Sequence, residues 1–154
     1  KIKRIRWMKE KINLRLIGNS LEDLSTFSAY LQDSLIKIKD ISYLKKNRIF
    51  ILLFNRFMWE DVEKGIFRDY KRIQCVVRFI GILKVISKNI NQKKKNKILE
   101  LLTISSAINK KEIYEIKLIF SGNSTVVLFA EHIDILFEDV GDPWVVKNHP
   151  KHRL

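Results

Sequence analysis

The stretch Ile133-Asp134-Ile135-Leu136-Phe137-Glu138-Asp139-Val140, followed by Gly141 and Pro143, decides the class of fold. Ile133, Leu136, Phe137 and Val140 recur at three- and four-residue spacing, which predicts a short helix that Gly141 and Pro143 stop. Just upstream, residues 112–120 and 125–130 read as strands joined by Ser121-Gly122-Asn123-Ser124, a good hairpin turn. The other end of the chain offers a matching unit. Leu14, Leu16 and Ile17 with Gly18 predict a short strand and turn, and Ser20 with Asp23 forms a variant capping box. Leu21, Leu24, Phe27, Leu31 and Leu35 then mark one apolar stripe of a helix over residues 21–34. The expected fold is therefore α+β: a single antiparallel meander sheet of about six to seven strands with two helices on one face. The alternative is a pleckstrin-homology-like barrel whose final helix plugs one end.

Between the two units the apolar period is two. Leu35, Ile36, Ile38 and Ile41 lead through Ser42-Tyr43-Leu44 to the turn Lys45-Lys46-Asn47, and residues 48–57, β-branched and aromatic, read as a central strand. A polar stretch over residues 59–69 precedes the alternation of Ile73, Cys75, Val77 and Phe79 with Arg72, Gln74, Val76 and Arg78, which Gly81 interrupts as a bulge. Residues 87–97, Ser-Lys-Asn-Ile-Asn-Gln-Lys-Lys-Lys-Asn-Lys, have no periodicity and read as a solvated, mobile loop before a strand over residues 98–106.

At 154 residues the chain is the size of one domain, with 46% apolar residues and only five Gly and two Pro, which excludes a disordered or low-complexity protein. The expected limits are a basic extension over 1–13, one domain over 14–144 and a flexible tail over 145–154. Met8 is the expected natural start, with residues 1–7 upstream of it. The longest apolar run, residues 49–54, is far short of the ~20 residues that cross a bilayer. A lone cysteine, Cys75, allows neither an intrachain disulfide nor a CxxC site, so a reducing cytoplasm is the expected location.

The net charge of +13 is uneven: residues 70–98 carry +9 with no acid, while residues 99–142 carry −5. Such an excess raises nucleic acid as a partner, through Lys71, Arg72, Arg78, Lys84, Lys93, Lys94, Lys95 and Lys97. Yet Lys outnumbers Arg 21 to 9, Ile reaches 23 and Ala only three, a compositional bias to which some of the +13 is expected to belong. Phe79 also shares a face with Ile73, Cys75 and Val77 rather than with the bases, unlike a stacking platform.

Asn55-Arg56-Phe57-Met58-Trp59-Glu60 concentrates an amide, a guanidinium, two aromatics and a carboxylate at a strand end. It reads as a binding site in which Arg56 clamps an anion and Trp59 forms a stacking wall, or else as a strand end whose aromatics seal the core while Arg56 and Glu60 pair. Gln32 and Asp33, at the disfavoured end of the first helix, join it as candidates. No catalytic constellation, cofactor motif or oriented metal set is present: His132, His149 and His152 fall late, and Cys75 sits on an apolar strand face. The expectation is a non-catalytic accessory module, without cofactor, that binds a protein or small anionic ligand near residues 55–60.

Leu16-Ile17, Glu22-Asp23-Leu24, Ser28-Ala29-Tyr30-Leu31-Gln32-Asp33, Asn55-Arg56-Phe57-Met58-Trp59-Glu60, Phe120-Ser121-Gly122 and Asp139-Val140-Gly141-Asp142-Pro143-Trp144, in that order, carry a resemblance. Over residues 14–152 the chain resembles the alphaproteobacterial domain of unknown function numbered 2948. It departs from that pattern at Lys45, where a Pro is usual, and in its Lys and Ile content. The resemblance implies a bacterial cytosolic protein and brings no activity, cofactor or catalytic residue.

Overall fold

The structure, a computed structural model, describes residues 14–60, 70–147 and 150. The basic extension and the last four residues of the tail lie outside them, as do His149 and His152.

The helix begins as its capping signals dictate. Ser20 Oγ accepts from Asp23 N at 3.2 Å, and Asp23 Oδ2 accepts from Asn19 N at 2.9 Å. The Asn19 amide, with the Ser20 contacts outweighing a little desolvation, holds the Asp23 carboxyl below its usual range. Helix α1 (Leu21–Leu31) buries Leu24, Phe27 and Leu31. It ends three residues before the expected limit because Asp33 turns left-handed at φ 62° and donates its N–H to Leu101 O at 2.8 Å.

Among the described residues, ten strands form one antiparallel sheet. They are β1 (Arg15–Gly18), β2 (Leu35–Lys37), β3 (Ile41–Leu44), β4 (Ile49–Phe57), β5 (Lys71–Ile80), β6 (Ile82–Lys88), β7 (Ile98–Ile108), β8 (Tyr114–Phe120), β9 (Thr125–Ala130) and β10 (Ile135–Val145). Their order is β1-β10-β5-β4-β2-β7-β8-β9-β6, with β3 on the outer part of β4. The expected six to seven strands with two helices are thus corrected to ten strands and, among the described residues, a single bounded α-helix. The second helix, its mirrored strand-to-helix unit and the barrel plugged by a final helix go with it. Residues 135–140 are strand instead: Ile135, Phe137 and Asp139 are buried and alternate with half-exposed Leu136, Glu138 and Val140. An aspartate in the inward stripe disguised the period of two, and the same apolar residues also fit a helical spacing.

Gly81, at φ 77°, separates β5 from β6 by more than a bulge. Beyond it the chain leaves β4 and β10 and pairs with β9, while Ile82 N donates to Arg48 O at 2.8 Å, so the sheet curls and the β6 start returns to the β3–β4 turn. One core fills the curl, from Phe54, Cys75 and Phe137 on one side to Leu101, Leu118 and Leu128 on the other.

β2 and β3 both run antiparallel to β4, but between them residues Ile38–Asp40 form a single 3-10 turn that leaves the ladder. The freed amides find other partners: Ile38 N donates to Lys97 O and Lys39 N to Lys95 O, each at 3.0 Å. Residues 89–97 are therefore fastened to this turn rather than loose, with further bonds from Asn89 Nδ2 to Asn123 O and from Ser124 Oγ to Asn89 O. Backbone bonds that its composition does not announce hold this loop against the turn; its lysine side chains are exposed as expected.

Candidate functional site

Two features stand out: a charged cluster in the core and a cleft beside the detached turn. Arg56 points inward in register with Phe50, Leu52 and Phe54 and is 0% exposed. Asp139 holds the equivalent inward position on β10, beyond Phe137, and the two reach each other diagonally across β5, where Arg56 pairs with Ile73 and Asp139 with Cys75. Arg56 Nε donates to Asp139 Oδ1 at 2.8 Å and Nη2 to Oδ2 at 2.7 Å. Trp59 and Glu60 are helical, and one turn brings Glu60 back to Arg56, with Nη1 to Oε1 at 2.9 Å and Nη2 to Oε2 at 2.6 Å. Nη1 also donates to Phe57 O at 3.4 Å. All the N–H donors of the guanidinium are thereby taken. The rings of Tyr30 and Phe137 each stand 5.7 Å from Arg56 Cζ. Burial would lower the guanidinium pKa; the bonds and charges of Asp139 and Glu60 overcome it and raise the pKa, so Arg56 is a permanent cation.

The remaining strand-end candidates lock onto this cluster. Trp59 Nε1 donates to Gln32 O at 2.9 Å, and Phe57 meets the Trp59 ring edge-on at 4.7 Å. Arg72 lies 5.7 Å from the Phe57 ring centre and donates to Asn55 O at 3.1 Å and Asp33 O at 3.3 Å. Burial lowers its pKa, with the Glu100 and Asp33 charges opposing. Gln32, Asp33, Asn55, Arg56, Trp59 and Glu60 are thus neighbours, but the expected anion clamp faces inward and is satisfied by the chain's own carboxylates. Sequence reasoning missed Asp139, Tyr30 and Phe137; an inward-register Asp and an inward-register Arg on two strands was the available signal. Chemically, the cluster is a closed buried ion triad.

The bases proposed for nucleic acid do not form one track. Arg72 is turned to the two carbonyls just named, Arg78 Nη1 pairs with Glu138 Oε1 at 3.8 Å, and Lys84 Nζ lies 5.9 Å from the Phe129 ring centre. Lys71 opens β5 opposite Val145. Lys93, Lys94, Lys95 and Lys97 alone sit together, on the fastened loop. His132 is exposed in the β9–β10 turn, and no group of three or more His, Cys, Asp or Glu able to hold a metal occurs among the described residues.

Cys75 is buried, and its thiol pKa is raised, first by burial and then by Asp139, against the lowering by Arg56. With a folded value raised above the unfolded 9.0, the contribution of Cys75 to stability is fully present below pH 9 and is lost as pH climbs past it. Native protein at pH 8 is expected to react with a thiol-labelling reagent at less than about a hundredth of the rate of urea-unfolded protein, measured by mass spectrometry.

The second feature follows from the detached turn. Where the turn leaves β4, a half-open cleft of about 490 Å³ lies between β3–β4 and β6–β9. Its floor is Ile38, Ile41, Tyr43, Phe50, Val85 and Val126; Lys39, Ser87, Gln92 and Lys95 stand at its exposed side. On the other side of the same turn, a cleft of about 300 Å³ is lined by Lys37, Lys39, Asp40, Leu53, Asn55 and Gln74, so Asn55 reaches a concave surface although Arg56 does not.

The architecture is that of a curled antiparallel sheet with a keystone ion triad and a lateral cleft. The family model described as "Protein of unknown function (DUF2948)" matches residues 14–152, and the chain belongs to that family. Neither the curated proteins nor the solved structures contain a match.

Proposed function

We propose that this chain is a non-catalytic binding module that takes a small ligand in the cleft beside the Ile38–Asp40 turn. The observation that carries this reading is the half-open, apolar-floored cleft of about 490 Å³, within the size range of small-molecule sites. The Arg56 cluster supports it by exclusion: a guanidinium with every donor engaged by its own chain has nothing to offer a ligand, so that end of β4 builds the frame on which the cleft stands. The strand-end reading survives on its Asn55 side, at the smaller cleft. Dispersal of Arg72, Arg78 and Lys84 to separate partners favours a small ligand over nucleic acid. The single cysteine and the family resemblance support a bacterial cytoplasm as the setting.

The test uses a neutral apolar fluorophore, N-phenyl-1-naphthylamine. It is expected to bind saturably, and Ser87→Trp, an exposed position at the mouth, is expected to weaken binding by about tenfold, roughly 1.4 kcal/mol. Val85→Trp, nearer the floor, should reduce it further, with melting temperature as the check on folding. Absence of saturable binding, or binding indifferent to both substitutions, contradicts the reading.

A further inference from the structure

We infer that the ligand of this cleft is an amphipathic anion, an apolar body carrying one carboxylate or phosphate that meets Lys39 and Lys95 at the mouth; the inference rests on the cleft being the binding site. The floor asks for an apolar body. Its one phenol is spoken for, because Tyr43 Oη donates to Ile82 O at 2.7 Å, and Ile38, Phe50 and Val126 are buried hydrocarbon. The mouth asks for negative charge. Lys39 and Lys95 both line the cleft, no Asp or Glu does, and the loop that supplies Lys95 holds no acid from Asn89 to Lys97.

These two ammonium groups do not hang from wandering chain. Lys39 N is bonded to Lys95 O, Lys94 N donates to Asn91 O at 2.9 Å and Lys97 N to Lys94 O at 3.1 Å, so the backbones that bear the charges are fixed side by side. A frame set before binding lowers the ordering cost of gripping a small headgroup. Lysines present point charges rather than a planar fork, which suits a compact headgroup without demanding bidentate geometry, while Ser87 and Gln92 add polar contacts at the same rim. The chemistry is shared by carboxylates and phosphates; the apolar floor sets it apart from free inorganic phosphate or a nucleic-acid backbone, neither of which has hydrocarbon to bury there.

Displacement of bound N-phenyl-1-naphthylamine reads the preference directly, with decanoate, decyl phosphate, decanol, decyltrimethylammonium, inorganic phosphate and a single-stranded oligonucleotide as competitors. Decanoate or decyl phosphate is expected to compete at about a tenth of the decanol concentration, with the better of the two naming the headgroup, and decyltrimethylammonium to compete worst of the decyl compounds. The preference should shrink in 1 M salt. Lys39→Glu with Lys95→Glu, both exposed, should abolish the preference of decanoate over decanol, each competitor being read against that variant's own fluorophore affinity; Lys39→Met with Lys95→Met is the second variant, should charge reversal disturb folding. Decanol competing as well as decanoate, or a preference that survives both variants, overturns the inference and leaves the cleft reading standing. An oligonucleotide or inorganic phosphate that competes better than either decyl anion overturns it in favour of a phosphate backbone or a free anion. Failure of the fluorophore to bind at all is instead a failure of the cleft reading.

Discussion

Asp139→Ala is expected to destabilise the protein by about 3–5 kcal/mol, the cost of leaving a buried charge without its partner. For a chain of this length that corresponds to a fall of roughly 10 °C in melting temperature. Two of the bonds to Arg56 vanish, and Glu60, whose side chain is 21% exposed, cannot replace a carboxylate that is 3% exposed. The guanidinium keeps Glu60 and Phe57 O, but Nε and one N–H of Nη2 are left buried without an acceptor. Glu60→Gln should cost less than half as much, because its side of the cluster is already wetted. Arg56→Met combined with Asp139→Leu removes both charges at once and is expected to lie within about 1 kcal/mol of the parent, since a packed apolar pair is often as stable as a buried ion pair. Urea unfolding that shifts the midpoint without changing the slope would locate the loss in stability alone. If Asp139→Ala unfolds no earlier than the parent, the triad is not a keystone of the fold.

Phe137→Ala comes second, with an expected loss of about 3–5 kcal/mol. Phe137 is fully buried between α1 and the cluster, its ring centre 5.6 Å from Phe27 and 6.0 Å from Tyr30. Removing it opens a cavity under the helix and also strips one face from Arg56. Its effect should therefore not add to that of Asp139→Ala; a double-mutant cycle is expected to return a coupling of about 0.5–3 kcal/mol. Strict additivity would separate the helix-packing role of Phe137 from the ion cluster.

The capped helix, the β3–β4 hairpin, the long strand β4 and the β8–β9 turn were legible because local chemistry determines them: an N-cap serine, an alternation, a Gly-Asn pair at φ 70° and 58°. β10 was not, because its inward stripe ends in a carboxylate whose partner lies 83 residues earlier in the chain. No local rule anticipates an aspartate on a buried face until its arginine is found. The strand-end cluster was legible as a cluster, since Gln32, Asp33, Arg56, Trp59 and Glu60 do meet, but the direction in which Arg56 points depends on the register of β4 against β5. The cleft was illegible for a related reason. Its walls come from residues of β3, β4, β6 and β9, and it exists because Ile38–Asp40 steps off the ladder, a departure carried by backbone bonds to Lys95 and Lys97 with no side-chain signature.

A backbone amide NMR titration with N-phenyl-1-naphthylamine puts the division of labour between frame and cleft to the most direct trial. Shift changes are expected to centre on Ile38, Lys39, Val85, Ser87 and Lys95 while Arg56 and Asp139 stay in place. Changes centred instead on Gln32, Arg56, Trp59 and Glu60 would contradict it.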